Sequence, residues 1–250
     1  LSLQLAARVN LQRDLASDDA LARKAGVDYL CRCIDVAAAC GATIVGGPLY
    51  GTPLVFAGRA PSPIDEAQRR ERVKRVTDGL HAAAEHAEGS AVRFAIEPLN
   101  RFETYLINRG DQALALADAV GSNCGVCLDL FHMNIEESDI HAAFRNAKGR
   151  IYDIHIADNN RFAPGMGTLD FPAIVKTIKE VGYTGALTLE FVATIDRTPA
   201  SPYGNQVETN PVDVSPEQLK FIIDHGSNLL ADTFYTGLFT QSVKVLRPLC

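Results

Sequence analysis

Short apolar runs alternate with longer amphipathic runs along the whole chain, and each apolar run predicts a strand of a parallel sheet. Six such runs predict strands at Leu1–Val9, Ala42–Gly46, Ala91–Glu97, Gly125–Asp129, Ile151–Ile156 and Ala186–Glu190. The runs between them predict helices at Ala20–Cys40, Ile64–Glu88, Asp111–Val120, Ser138–Ala147 and Phe171–Val181. Strands that alternate with helices in this way are typical of a parallel sheet with right-handed crossover connections.

Two stretches have no periodicity and are rich in glycine, proline and polar residues, which predicts long loops. They lie at Gly47–Pro63 and Thr194–Ser215. The Ser-Pro-Glu run that begins at Ser215 predicts the start of a terminal helical region, because serine caps helices and proline is favoured in their first turn. The tail at Phe234–Leu246 is apolar enough to pack against another surface.

Four consecutive predicted strands end in a side chain that can bind a metal ion or move a proton. They are Glu97, Asp129, His155 and Glu190. Active sites of (β/α)8 barrels are built from the carboxyl ends of several strands, whereas an open doubly wound sheet gathers its ligand near one switch point. The pattern therefore favours a barrel. We count six strand–helix units where a closed barrel has eight, so residues 1–250 are predicted to form a single partial barrel domain.

The chemistry of these four residues predicts a site for one divalent ion. Three carboxylates and one imidazole form an oxygen-rich set of donors, which suits Mn²⁺, Mg²⁺ or Co²⁺ better than a metal that prefers thiolates. Without a cation the three converging carboxylates would repel one another. Any one of the four residues alone would more often be structural, so the prediction depends on their joint occurrence at equivalent positions.

Three further polar residues follow these strand ends and are candidates for binding a ligand. His132 comes three residues after Asp129, where a short turn would aim it at the metal, although it could instead cap the following helix. Arg161 carries a permanent charge that can bind a hydroxyl or carbonyl oxygen, or it could be a surface arginine paired with an aspartate. Glu103 could bind a ligand or be an exposed loop acid. The turn residues Asn100 and Asn108 are not predicted to take part.

Composition narrows the classes of function. The chain has 250 residues, of which 47% are hydrophobic, and a net charge of −6. An acidic chain without a basic block argues against nucleic acid as a partner, and no apolar run approaches the length of a membrane span. The six cysteines are predicted to be reduced, buried or semi-buried thiols of a cytoplasmic protein. Cys124 and Cys127 lie on one predicted strand without a matching second pair, so a metal or redox motif is not predicted there.

Four motifs surround the candidate residues. They are Ala-Ile-Glu-Pro-Leu-Asn-Arg-Phe-Glu-Thr from Ala95, Leu-Asp-Leu-Phe-His-Met-Asn-Ile-Glu-Glu from Leu128, His-Ile-Ala-Asp-Asn-Asn-Arg-x-x-Pro-Gly-x-Gly from His155 and Thr-Leu-Glu-Phe from Thr188. Together they resemble the ketose 3-epimerases, which act on D-tagatose, D-psicose or L-ribulose within the xylose-isomerase-like barrel superfamily. The resemblance covers nearly the whole chain.

The resemblance implies a function and assigns residues to it. It implies that Glu97, Asp129, His155 and Glu190 bind one divalent ion, with Mn²⁺ expected first and Co²⁺ or Mg²⁺ as alternatives. Glu97 and Glu190 would also serve as the acid/base pair that inverts C3 of a free ketose through a metal-stabilised cis-enediolate. Glu103, His132 and Arg161 would hold substrate oxygens. The family also implies a homodimer or homotetramer.

The same resemblance marks one departure and leaves other activities open. In family members two further βα units precede the strand that Leu1–Val9 resembles, and they are absent from this sequence. Alternatives of the same fold are an aldose–ketose isomerase, a hydroxypyruvate-type isomerase and an inosose dehydratase. A metal-dependent nuclease would need more metal-binding histidines and a basic groove. A non-catalytic fragment would bind metal without turnover.

Overall fold

The computed structural model describes residues 3–51, 66–191 and 232–250. The strands are β1 Leu5–Ala6, β2 Ile44–Gly47, β3 Arg93–Ile96, β4 Cys124–Asp129, β5 Ile151–Ile156 and β6 Leu187–Leu189. The helices are α1 Ala20–Cys40, α2 Glu66–His86, α3 Gly110–Val120, α4 Leu130–Glu136, α5 Ile140–Asn146, α6 Phe171–Glu180 and α7 Asp232–Leu246.

The six strands form one parallel sheet in chain order, from β1 to β6, with each strand paired to the next. The sheet curls into part of a barrel and the helices pack on it, which confirms the predicted (β/α) barrel class and fits a barrel with six of eight strands. All six carboxyl ends therefore lie at the same end of the sheet.

The predicted strand positions are confirmed, but several boundaries differ. β1 has two residues where the apolar pattern extended from Leu1 to Val9. β3 and β6 each stop one residue before the predicted ligand, so Glu97 and Glu190 begin the loops that follow. Most of the predicted loop at Gly47–Pro63 and all of Thr194–Ser215 lie outside the described residues, as does the start of the terminal helical region.

One helix was not predicted. The segment after Asp129 was expected to be a short turn, whereas it forms α4, and the next predicted helix begins later, at Ile140. The cause lies in the strand end itself: the Asp129 carboxylate accepts a hydrogen bond from the His132 N–H at 3.0 Å and so caps α4. An aspartate in this position satisfies an otherwise unpaired N–H of the first turn.

The two faces of the sheet carry different side chains. On the outer face, large residues such as Phe94, Leu128 and Ile154 join the main core beneath the helices. On the inner face, the apolar residues Ala95 and Cys127 lie in the layer directly below the strand ends. Because successive residues of a strand point to opposite faces, the side chains two residues further on, at the strand ends, also point into the barrel.

A β-bulge sets which side chains of β5 point inward. Val126 pairs with Ile151, but Cys127 pairs with Asp153, so Tyr152 is an additional residue on β5. A shift of one residue exchanges the faces of every later side chain in a strand. The bulge therefore places Asp153 and His155 on the inner face of the sheet.

Among the described residues, none of the helices combines the length and the hydropathy that a membrane-spanning segment requires. All six cysteines are free, and both Cys124 and Cys127 are buried on β4. Cys40 and Cys250 are exposed, so the prediction of buried or semi-buried thiols is wrong for these two residues.

Gly125→Ala should destabilise the fold, because the bulged strand lies directly against this glycine. A Cβ at Gly125 would lie 2.5 Å from the Arg150 carbonyl oxygen and 2.5 Å from the Tyr152 ring. Overpacking of this kind costs about 1–3 kcal/mol. Gly46→Ala is the matched control, since its Cβ would meet Ala95 at an ordinary 3.7 Å. Urea denaturation should show a lower midpoint for Gly125→Ala alone; equal midpoints for the two variants would contradict the role assigned to the bulge.

Candidate metal centre

The four predicted ligands come together at the carboxyl ends of four neighbouring strands. Glu97 follows β3, Asp129 ends β4, His155 lies near the end of β5, and Glu190 follows β6. One donor atom from each of them lies within 4.8 Å of the donor atoms of the other three. Three of these side chains are buried and Glu190 is half-buried.

The imidazole of His155 lies among the carboxylates. Its Nδ1 is 3.1 Å from Glu97 Oε1 and 3.7 Å from Asp129 Oδ2. Glu190 Oε2 lies closer, at 2.5 Å, but outside hydrogen-bond geometry. This oxygen is buried and has no hydrogen-bond donor among the described residues.

The donor set fits a hard divalent cation. Three carboxylates and one imidazole nitrogen are the ligands that Mn²⁺, Co²⁺ or Mg²⁺ accept, and a buried carboxylate oxygen without a donor is costly unless a cation or donor approaches it. Glu190 Oε2 is such an oxygen. Glu97, Cys127 and His155 form a second group whose donor atoms lie within 4.8 Å of one another. Its thiol is less suitable for a hard ion, because burial raises the pKa of Cys127 well above the ordinary value.

The pKa values of the two fully buried carboxylates are shifted in opposite directions. Burial raises the pKa of Glu97, and the negative charges of Glu190 and Asp129 raise it further against the attraction of His155. Burial also acts to raise the pKa of Asp129, but Arg161, His132 and His155 outweigh it and hold the pKa well below the usual range. Neighbouring carboxyl groups whose pKa values are driven apart can take different roles.

Arg161 contributes the main permanent positive charge. Its Nη1 donates to Asp129 Oδ2 at 2.6 Å, and its Nη2 lies 2.7 Å from Glu190 Oε1. The guanidinium also lies 4.8 Å from the centre of the Phe131 ring. The side chain is only 12% exposed, so the alternative prediction of a surface arginine is wrong. The pairing with aspartate is present, and it involves a predicted metal ligand.

The loop that carries Arg161 is held by a buried carboxylate. Asp158 is fully buried, and its two oxygens accept backbone N–H groups from Asn159, Gly165, Gly167 and Leu169 at 2.9–3.1 Å. Within this loop Arg161 has a φ of +64°, the only positive φ of a non-glycine residue among those described. Such a conformation costs about 1–3 kcal/mol and is typical of functional sites.

His132 is fixed by a residue that the sequence pattern did not single out. Its Nδ1 accepts a hydrogen bond from the backbone N–H of Asn100 at 3.1 Å, and the Asn100 side-chain nitrogen lies 2.8 Å from the same atom. The His132 Nε2 faces Glu97 Oε1 at 3.9 Å. The imidazole therefore points at the candidate centre and does not cap α4, a role that Asp129 fills.

Glu103 lies beside this pair. Its Oε1 accepts a hydrogen bond from the Asn100 side chain at 3.0 Å, so it is neither an isolated exposed acid nor in direct contact with the four ligands. Asn100 is a turn residue as predicted, since its Oδ1 accepts the Phe102 N–H at 2.9 Å. It is also 2% exposed and connects Glu103 to His132. Asn108 instead braces the same loop by donating to the carbonyl groups of Leu99 and Thr104.

Three buried groups of the site were missed from the sequence: Asn100, Asp153 and Asp158. Asp153 lies two residues before His155, and this spacing on a strand could have indicated a shared face. Asp158 precedes a segment rich in Asn, Pro and Gly, which could have indicated a loop that needs a central acceptor. The sequence carries no comparable signal for Asn100, because its partner is 32 positions away.

Comparison with known protein families matches residues 2–224 to the family described as xylose isomerase-like TIM barrel. Over 126 residues the chain is 41% identical to an L-ribulose 3-epimerase of Mesorhizobium japonicum, covering 50% of this chain and 42% of that protein. Over 185 residues it is 32% identical to a D-psicose 3-epimerase of Agrobacterium fabrum, covering 73% of this chain and 62% of that protein. The chain thus spans 42–62% of the length of these two relatives.

A solved structure agrees with the sequence relatives. The crystal structure of a D-psicose 3-epimerase in the presence of D-fructose is 28% identical and superposes with a TM-score of 0.72, covering 78% of this chain and 66% of that one. The resemblance to ketose 3-epimerases predicted from the four motifs is confirmed by these relatives. The family match, which extends over most of the chain, shows that the protein belongs to the xylose isomerase-like TIM barrel family.

Proposed function

We propose that this protein is a ketose 3-epimerase that depends on one divalent metal ion. The observation that carries the proposal is the cluster of Glu97, Asp129, His155 and Glu190 at four neighbouring strand ends, with donor atoms within 4.8 Å of one another. The relatives support the substrate class, because two of them are named as 3-epimerases of L-ribulose and D-psicose.

The proposed ion is held by these four residues, and Mn²⁺ is proposed first, with Co²⁺ or Mg²⁺ as alternatives. A bound divalent ion supplies positive charge that stabilises the negative charge developing on the ketose oxygens as a neighbouring C–H proton is removed. Asp129 suits the role of a permanent anionic ligand, because its pKa is low. Burial acts to raise this pKa, and the positive charge of Arg161 makes the largest contribution that lowers it.

Glu97 and Glu190 are the proposed acid/base pair. Their strands, β3 and β6, flank β4 and β5, so the two carboxylates approach a ligand in the centre from different sides. One removes the proton from C3 and the other returns a proton to the opposite face, which inverts that carbon.

Arg161, His132 and Glu103 are proposed to hold the sugar. Arg161 can donate to a substrate oxygen from a fixed guanidinium plane. The His132 Nδ1 accepts from the Asn100 N–H, so the neutral imidazole carries its proton on Nε2, the nitrogen that faces Glu97 and the centre. Glu103 is farther out and is proposed to accept from a sugar hydroxyl. A cytoplasmic location and a homodimer or homotetramer remain predictions.

The first experiment follows the C3 proton. Protein stripped of metal and then reconstituted with Mn²⁺ is incubated in D₂O with D-fructose, D-tagatose or L-ribulose, and the sugars are analysed by NMR. The expected result is metal-dependent deuterium at C3 together with the 3-epimer. An aldose product with deuterium at C2, the carbon that receives a proton when C1 loses one, would identify an aldose–ketose isomerase instead. Metal binding without exchange at any carbon would overturn the proposed function.

Glu97→Gln and Glu190→Gln should each lower the epimerisation rate by about 10²–10⁴-fold, because each variant lacks one of the two groups that move the proton. The matched control is Glu137→Gln, whose carboxylate accepts the Gly110 N–H at 2.7 Å outside the cluster. Initial rates measured with Mn²⁺ at saturation separate the loss of proton transfer from weaker metal binding. Full activity in either active-site variant would rule out the two-carboxylate mechanism.

A further inference from the structure

We propose that Asp153 is a positioning residue for the metal centre: its carboxylate pairs with His155 at Nε2, keeps the proton on that nitrogen and so directs Nδ1 towards the ion. The inference deepens the proposed function and rests on it. Neither the family resemblance nor the sequence pattern assigned a role to Asp153, and it belongs to none of the candidate ligand clusters.

The geometry begins with the bulge in β5. Asp153 pairs with Cys127, and His155 pairs with Asp129. The side chains of Asp153 and His155 therefore both point into the barrel. Asp153 then lies in the layer directly below the ligands. Its Oδ2 is 3.1 Å from His155 Nε2, on the opposite side of the ring from the atom that faces the carboxylates.

Other contacts hold Asp153 in this position. Its Oδ1 accepts the hydroxyl of Thr188 at 2.9 Å and the backbone N–H of Ile154 at 2.8 Å. These two bonds occupy one oxygen and leave the other to face the imidazole. Asp153 is 2% exposed, and its one ion pair among the described residues is with His155.

The chemistry of histidine explains why this matters. An imidazole can bind a metal through either nitrogen, and the hydrogen bond made by the other nitrogen decides which one is free. A carboxylate at Nε2 retains the proton there, orients the ring and makes Nδ1 a better donor. Without Asp153 the ring could rotate or carry its proton on Nδ1, where it would block the ion.

The test compares Asp153→Asn with Thr188→Val. The first variant removes the negative charge that faces Nε2. The second removes one of the two donors to the far oxygen of Asp153, and the Ile154 N–H continues to hold that oxygen. Mn²⁺ affinity is measured on metal-free protein from the EPR signal of the free ion. Loss of an outer partner of a metal-binding histidine weakens affinity by about 10–100-fold, and this is expected for Asp153→Asn alone. Wild-type affinity in Asp153→Asn would overturn the proposal.

A second measurement needs no metal and no activity. Long-range ¹H–¹⁵N correlation of metal-free wild-type protein should show a slowly exchanging proton on His155 Nε2, and Thr188→Val should retain it. In Asp153→Asn the same proton should exchange faster and move upfield. If the wild type lacks the protected proton, Asp153 is not its acceptor and the proposal fails even if Asp153→Asn does not fold.

The two measurements separate this inference from the function on which it rests. Suppose that the wild-type protein shows the protected proton but does not bind Mn²⁺. This result would contradict the proposed metal centre and the metal-directing role of Asp153, but it would leave the Asp153–His155 pair in place. A wild-type protein that binds Mn²⁺ and epimerises a ketose, together with an unchanged Asp153→Asn variant, would retain the function and exclude the role of Asp153.

Discussion

The main physical constraint on this site is the repulsion among three carboxylates that lie close together in the low-dielectric end of a barrel. Two like charges 4 Å apart repel by about 4 kcal/mol at an effective dielectric constant of about 20, which is a large part of the net stability of a domain. Arg161 and His155 oppose this repulsion through contacts with the same carboxylates. The positive groups leave Glu190 Oε2 without a hydrogen-bond donor, and this is the point where a cation would add most.

The strands supply the geometry that makes such a cluster possible. Parallel neighbours in strict chain order place four successive carboxyl ends side by side, so ligands far apart in the sequence become adjacent. The bulge at Tyr152 is as important as the strands, because without it Asp129 would pair with Ile154 and the imidazole of His155 would point into the outer core. Gly125 belongs to the same arrangement, since only the absence of a Cβ lets the bulged strand approach β4.

The sequence predicted those parts of the site that depend on the strand period and the strand ends. Glu97, Asp129, His155 and Glu190 were found because an apolar run that ends in a polar residue has the same geometric meaning in every βα unit. Asn100 and α4 were not found, because the first depends on a contact with a histidine 32 positions away and the second on a cap supplied by a ligand residue. Asp153 was missed for a different reason: a buried acid interrupts the apolar pattern of a strand. Its spacing to His155 indicates a shared face, and the register with β4 shows that this face is the inner one.

The loop after β5 shows how the site tolerates local strain. Arg161 can reach both Asp129 and Glu190 from a left-handed backbone conformation that costs about 1–3 kcal/mol. Asp158 offsets that cost, since each hydrogen bond to a charged acceptor contributes about 1.5–3 kcal/mol and its carboxylate accepts four. Gly167 allows the loop to close around that carboxylate, because a Cβ there would lie 2.3 Å from Asp158 Oδ1. The rigid strands thus hold the negative ligands, while a loop stiffened by one buried acid holds the positive charge against them.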